Sequence, residues 1–299
     1  MKTIILGCGY LGYHFGKALI DKGESVQVIG LPSFYSEKIK DRFLALDLFG
    51  EENLSKIDFG HSVIIDCLNL FAPNIKETDE VHLELELTQK YELLFEYLLY
   101  QNIHQYIYLS SGGTVYGECE FPAKESDTPK PTTFYGHMKY VLEEQLIASG
   151  LPYTILRLAN PYGGESEPGR TQGLIGVIKA KLQSNSPLEL YGDPASTRDY
   201  IYIDDVSEII TRVAGNHKTL SQIINIATGT STSLEKIIAI SEKIAGKKLT
   251  VHNPGYVIEE VLHNQLNNTK LKELLDFHQF IPVEEGIKTL YNRQGENTL

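Results

Sequence analysis

Tyr135 and Lys139 stand four residues apart in Phe-Tyr-Gly-His-Met-Lys, at the head of an apolar-periodic run. A helix there places phenol and ammonium on one face, because residues i and i+4 are neighbours on a helix surface. The pair is suited to proton transfer. A tyrosine at its ordinary pKa of about 10 is a poor base near neutrality, and a cation held beside the phenol stabilises the phenolate. The same spacing arises readily on an ordinary exposed helix, so its meaning depends on what accompanies it. Two stretches do: Gly7-Cys8-Gly9-Tyr10-Leu11-Gly12 near the N-terminus, and Ser110-Ser111-Gly112-Gly113-Thr114 upstream of the tyrosine.

The glycine stretch satisfies Gly-x-Gly-x-x-Gly between an apolar run, Thr3 to Leu6, and a helical pattern beginning at Tyr10. In that context glycines allow a tight turn and close approach of a pyrophosphate, while the first amides of the helix stabilise its charge. Gly7, Gly9, Tyr10, Leu11 and Gly12 are therefore expected to hold a dinucleotide. A carboxylate that accepts from the adenosine ribose is expected about 20 residues further on, but Gly30 occupies the end of the second strand. Without that carboxylate nothing repels a 2′-phosphate; Ser33, Lys38 and Lys40 are near enough in sequence to contact one, yet no arginine is placed to bind it. NAD and NADP both remain open. Asp47 and Leu48, after the third apolar run, are expected beside the adenine, although an aspartate that merely ends a strand reads the same way.

These residues need elements to position them. Thr3 to Leu6, Tyr10 to Lys22 and Ser25 to Ile29 read as one strand–helix–strand unit. Apolar runs at Phe43 to Leu46, Val63 to Leu68, Ile107 to Ser110 and Thr154 to Leu158 follow as further strands, with helices over Val81 to Tyr100 and from Tyr135 to a cap at Gly150. Alternation of this kind predicts an α/β fold with a Rossmann-type doubly wound parallel sheet. After Asn160-Pro161-Tyr162-Gly163 the texture changes to a loop over Gly164 to Arg170, a helical stretch Leu174 to Gln183 and a turn Tyr191 to Ala195. Tyr200 to Ile203 and Ile223 to Ala227 read again as sheet strands around the helical stretch Val206 to Ala214. The expected division is a dinucleotide-binding domain of residues 1–163 plus about 200–227, and a smaller C-terminal α/β substrate domain of about 164–199 and 228–299.

With 299 residues the chain has room for a large core, and its net charge of −12 excludes a surface built to neutralise nucleic-acid phosphates. The three cysteines, Cys8, Cys67 and Cys119, lack metal-ligand spacing, so no metal site and a reducing cytoplasm are expected. The apolar stretch before Cys8 is too short for a signal peptide, and no run approaches the roughly 20 apolar residues of a membrane span.

Five segments in order give the chain its resemblance to a known family. They are the glycine loop, Ser110-Ser111-Gly112-Gly113-Thr114-Val115-Tyr116-Gly117, Tyr135-Gly-His-Met-Lys139, Leu156-Arg157-Leu158-Ala159-Asn160-Pro161-Tyr162-Gly163 and Arg198-Asp199-Tyr200-Ile201-Tyr202-Ile203-Asp204-Asp205-Val206. Together they resemble the extended short-chain dehydrogenase/reductases, in the nucleotide-sugar epimerase/dehydratase branch that includes the UDP-glucose 4-epimerases. The resemblance implies Tyr135 as the base for a sugar hydroxyl, typically at C4, and Lys139 as its charge partner and a ligand of the nicotinamide ribose. A serine or threonine helps hold the sugar oxygen: Ser111 is the choice here, with Ser110 and Thr114 as alternatives, since Gly112 falls where a shorter form of the motif carries the hydroxyl. Thr114, Asn160 and Arg198 are the implied substrate contacts, and Asp204-Asp205 are expected to cap the helix near Val206.

The Asp-Glu pair of a 4,6-dehydratase is replaced by glycines, which argues against elimination. The arginine expected near His252-Asn253-Pro254-Gly255-Tyr256 is absent, with His252 and His263 the nearby basic groups. A nucleotide-sugar epimerase acting on a UDP-sugar is therefore the leading reading, a nucleotide-4-keto-sugar reductase using NADPH the second, and a non-catalytic dinucleotide-binding protein the third. The resemblance also implies surface-polysaccharide precursors as the setting. It implies a homodimer through the Leu83 to Leu99 helix, whose pattern equally suits a helix buried within one chain.

Overall fold

Strands β1 (Lys2–Leu6), β2 (Ser25–Gly30), β3 (Phe43–Ala45), β4 (Ser62–Asp66), β5 (Gln105–Ser111) and β6 (Tyr153–Leu158) are interleaved with helices α1 (Tyr10–Asp21), α2 (Phe34–Lys38), α3 (Glu80–Leu99), α4 (Gly112–Val115) and α5 (Phe134–Ser149). The computed structural model describes residues 1–50, 52–71, 79–118, 122–167, 171–253 and 261–292. The second half carries β7 (Asn160–Tyr162), α6 (Gly173–Ser184), β8 (Leu188–Glu189), β9 (Thr197–Tyr202), α7 (Ile203–Val213), β10 (Gln222–Ile226), β11 (Ser231–Ser233), α8 (Leu234–Ala245), β12 (Val251–His252), α9 (Thr269–Leu275) and α10 (Val283–Asn292).

The main sheet has seven strands in the order β10-β6-β5-β4-β1-β2-β3, with every pairing parallel. Its direction of winding reverses between β1 and β4. Ligands of open α/β sheets bind beyond the strand ends at such a reversal, and the glycine loop follows β1 there. Along β1 successive side chains go to opposite faces: Ile5 joins the core under α1 and α7 with Phe15, Val206 and Ile210, whereas Ile4 and Leu6 join the core under α3 and α5 with Leu94, Met138 and Leu142. Burial on both faces is why these strands read as unbroken apolar runs. Each fully buried leucine contributes roughly 1.5–3 kcal/mol.

On α3, Leu87, Tyr91, Leu94 and Leu98 are buried, whereas Val81, Leu85 and Leu93 on the same helix are exposed. A third core gathers Tyr162, Ile178, Leu182, Ile237 and Ile287 from β7, α6, α8 and α10. Among the described residues no helix is long and apolar enough to cross a membrane.

Two expectations are corrected. Tyr200 to Ile203 does not rejoin the main sheet: β9 pairs with β7 and β11 in a separate three-stranded sheet, and only β10 returns to lie beside β6. The short loop-like segment at Asn160 supplies β9 with an edge that the sequence pattern concealed. Asp204 and Asp205 do not cap a helix at Val206, because α7 starts earlier, at Ile203, with Tyr202 at the N-cap and no side-chain cap bond. Both aspartates lie in its first turn, and the Asp205 carboxylate accepts from the Ile281 amide at 2.8 Å.

Burial, reinforced by the charge of Asp204 and opposed by the Ile281 amide, pushes the Asp205 carboxyl up to about 6. The folded chain then binds this proton more tightly than the unfolded chain. Its contribution to stability is full below about pH 4 and declines as pH rises from 4 to 6. Asp205→Asn keeps an acceptor for Ile281 and removes the titration. Urea midpoints should coincide near pH 4, and at pH 7 the variant should be more stable by about 2 kcal/mol, after allowing for the favourable helix N-terminus that it gives up.

Candidate active site

Helix α5 begins at a Thr133 cap whose hydroxyl accepts from the Gly136 amide at 3.1 Å, and it ends at Gly150 in the left-handed conformation (φ 79°). A Cβ on Gly136 would come within 2.6 Å of the Thr114 carbonyl oxygen. The first turn of α5 therefore rests directly on α4, which brings Tyr135 beside the end of β5. One turn on, Lys139 is 6% exposed and donates to the Leu109 carbonyl at 3.0 Å. Its ammonium lies 5.0 Å from the Tyr108 ring centroid, 5.7 Å from that of Phe71 and 5.8 Å from that of Tyr135. The Phe71 and Tyr135 rings are 5.3 Å apart. Phenol and ammonium thus share one wall, as their spacing predicted.

The adjoining hydroxyls separate by strand alternation. Ser110 points into the core and donates to Glu143, so it is committed to a buried network. Ser111, the next residue, is half-buried on the other side. A Cβ built on Gly113 would lie 3.7 Å from the Asn160 side chain and 3.9 Å from Ser111 Oγ, which places Ser111, Gly113 and Asn160 around one surface. Thr114 Oγ1 is 3.5 Å from the Ser111 carbonyl. Gly112 faces elsewhere: a Cβ there would meet Leu266 Cδ1 at 2.4 Å and the Arg157 carbonyl at 3.1 Å. A hydroxyl at 112 would be driven into the core.

The network behind this wall was not foreseen. Arg157, inside β6, grips Glu143 of α5 through Nη2 at 2.6 Å and Nε at 3.1 Å, and both side chains are almost fully buried. Burial works against the Arg157 charge, but the bonds to the Glu143 carboxylate outweigh it and hold the guanidinium above its ordinary range. The guanidinium also lies 4.7 Å over the Tyr116 ring, and Tyr116 Oη donates to Asn225 at 2.8 Å. An arginine inside the apolar run Thr154 to Leu158 was the sequence signal, since a charge in a buried strand requires a buried partner. Beneath Lys139, Asp66 ends β4 and accepts from Tyr106 Oη at 2.8 Å and from the Leu68 amide at 2.9 Å. Burial raises its carboxyl, against those bonds and the Lys139 charge.

Gly7 (φ 94°) and Gly12 are glycines for internal reasons, because a Cβ would sit 2.8 Å from the Cys67 carbonyl oxygen and 2.0 Å from the Gly7 carbonyl oxygen respectively. Gly9 differs: a Cβ there meets nothing within 4 Å. Its space is a cleft of about 520 Å³, bounded by Gly9, Tyr10, Ser33 and Tyr35 on one side and by Ser166, Glu167, Thr171 and Gln172 on the other. A bare backbone facing open space at the start of α1 fits a pyrophosphate. Gly30 also has a reason: a Cβ there would press on the Cys8 nitrogen at 3.2 Å and on Gly7 Cα at 3.4 Å. A side chain at that position would require the Cys8 backbone to give by a few tenths of an ångström.

The remaining expected residues are spread around these surfaces. Leu11 is half-buried in the first turn of α1; Leu48 is buried; Asp47 is exposed and accepts from the Phe49 amide at 3.2 Å. Asn160 donates to the Asp199 carbonyl at 3.0 Å. Arg198 donates to the Thr197 and Leu262 carbonyls at 3.0 and 3.3 Å, bonds that tie its guanidinium to the segment at Leu262. His263 Nδ1 is 3.2 Å from Thr197 Oγ1, and His252 Nδ1 is 3.3 Å from Glu189. Cys119, Pro254 to Tyr256 and 168–170 lie outside the described residues.

Truncation of one partner leaves the other buried and unpaired, so Glu143→Ala should cost about 3–5 kcal/mol in urea-determined stability, whereas Glu143→Leu combined with Arg157→Met should recover most of that loss.

A model of the NAD dependent epimerase/dehydratase family matches residues 3–227. A putative UDP-glucose 4-epimerase of Methanocaldococcus jannaschii is 28% identical, with 99% of each chain covered. The UDP-glucose 4-epimerase of Thermotoga maritima, solved with UDP-glucose, superposes with a TM-score of 0.83 at 26% identity over 99% of each chain. The Thermus thermophilus UDP-glucose 4-epimerase, solved with NAD, shares the fold at a TM-score of 0.85 and 23% identity, again over 99% of each chain. The glycine loop, the Tyr135–Lys139 wall and the match over three quarters of the sequence agree: this chain belongs to the NAD dependent epimerase/dehydratase family.

Proposed function

We propose that the chain is a nucleotide-sugar 4-epimerase that acts on a UDP-sugar with tightly held NAD. The observation that carries this reading is the wall that Tyr135 and Lys139 share at the end of β5, the strand whose last residue is Ser111. The family match and the UDP-glucose-bound Thermotoga relative support it. NAD, when bound, would accept the hydride from the sugar carbon and return it to the opposite face. Gly7, Gly9, Tyr10, Leu11 and Gly12 would hold its pyrophosphate, Asp47 and Leu48 its adenine end, and Tyr135 and Lys139 its nicotinamide end.

The chain's own residues then carry the proton chemistry. Tyr135, as phenolate, takes the proton of the C4 hydroxyl and gives it back to the same oxygen after the sugar has turned. The Lys139 ammonium is fixed by the Leu109 carbonyl beside the Tyr135 ring, so that it does not have to be ordered for each turnover. Ser111, with Thr114 beside it, donates to the sugar oxygen. Asn160 and Arg198 bind the nucleotide diphosphate, for which a guanidinium fork is well shaped. In this reading the dinucleotide-binding domain comprises residues 1–163 and about 200–227, with β9 set apart in its own sheet, and the substrate domain comprises about 164–199 and 228–299.

Mass spectrometry of the denatured protein should release NAD, and the native protein should interconvert UDP-glucose and UDP-galactose, or their N-acetylated forms, without net NADH. Tyr135→Phe should retain the cofactor and lose about 10²–10⁴-fold in turnover. A preparation free of cofactor that consumes NADPH only with a 4-keto-sugar nucleotide would instead make the chain a reductase. Retained NAD with no turnover of any sugar nucleotide would make it a binding protein.

A further inference from the structure

The loop after β7 crosses to the first βα unit and is fastened there by several side chains. Tyr10 Oη donates to the Gly163 carbonyl at 3.0 Å, Tyr13 Oη donates to Glu165 Oε2 at 2.8 Å, and the Lys38 ammonium pairs with the other Glu165 carboxylate oxygen. His14 Nε2 lies 3.1 Å from the Glu165 carbonyl oxygen, and the Glu167 amide donates to Tyr35 Oη at 3.3 Å. Glu165 engages α1 by both main chain and side chain, and α2 by its carboxylate. Burial works against its charge, yet the bonds from Lys38 and Tyr13 hold the carboxyl below its ordinary range. The next residues, Ser166 and Glu167, form the outer bank of the cleft above Gly9.

The common device for choosing between NAD and NADP is an acidic residue at the end of β2, and Gly30, packed closely against Cys8, stands there instead. Lys38, close by on α2, is a cation suited to a 2′-phosphate, but it is spent on Glu165. We propose that Glu165 is the positioning residue that both retains the dinucleotide and selects NAD over its 2′-phosphorylated form. It latches the loop of residues 163–167 across the cleft, and it withholds Lys38 from a phosphate. The inference rests on the reading of this cleft as the dinucleotide site.

The test compares wild type, Glu165→Gln, Lys38→Met and the double variant, with NADH and NADPH as fluorescent probes of affinity and release rate. Glu165→Gln should release NADH about tenfold faster and reduce the preference for NADH over NADPH by about tenfold, because the latch is weakened while Lys38 is freed. Adding Lys38→Met should restore the preference but not the slow release. Lys38→Met alone should speed NADH release without favouring NADPH. Unchanged NADH release in both single variants, or equal weakening of both dinucleotides in Glu165→Gln, would overturn the proposal. Wild-type protein that binds neither dinucleotide would overturn the reading of the cleft itself, and the latch with it.

Discussion

The buried Glu143–Arg157 ion pair is the interaction on which the site depends, because it ties α5 to the sheet from below. Glu143 lies one turn beyond Lys139 and two beyond Tyr135, on the same side of the helix. Its carboxylate is held at once by Arg157 of β6 and by Ser110 of β5. Rotation or sliding of α5 would tear this charge pair apart in a dry interior, where an unpaired ion is far more costly than in water. Replacement by apolar groups of similar size is often neutral for stability, so the pair is better understood as fixing register than as strengthening the fold. What it fixes is the direction in which the phenol and ammonium face.

The polar groups behind the wall also show a division of labour by strand alternation. Ser110 and Ser111 are chemically identical neighbours, yet one completes the core network and the other lies with Asn160 around Gly113. Glycines divide in the same way. Gly7, Gly12, Gly30 and Gly136 are dictated by contacts under 3.5 Å from the chain itself, whereas Gly9 faces open space. A motif written as three equivalent glycines therefore contains two that build the turn and one that leaves open space beside it.

Much of this was legible beforehand where the signal is periodic. The parallel sheet could be read from apolar runs, the Tyr135–Lys139 face from four-residue spacing, and the end of α5 from Gly150. The parts that escaped depend on long-range neighbours. Glu165 meets Tyr13 and Lys38 across 152 and 127 residues, and nothing in the local texture of its loop announces that contact. The pairing of β9 with β7 was hidden because β7 is a three-residue strand containing a proline. Gly30 looked like a missing carboxylate until its packing against Cys8 gave it a steric cause. The one long-range feature with a usable local signal was Arg157, a charge inside an apolar strand.

The central claim is that Tyr135 and its wall present a sugar carbon for oxidation and then for reduction by the same bound cofactor. It is tested most directly by following a UDP-sugar carrying deuterium at C4 through conversion, with mass spectrometry of substrate, product and cofactor. The account predicts that the epimeric product keeps its deuterium at C4, with none lost to water and no added reductant consumed. Loss of the label to solvent, or a product formed only at the expense of added NADPH, would contradict it.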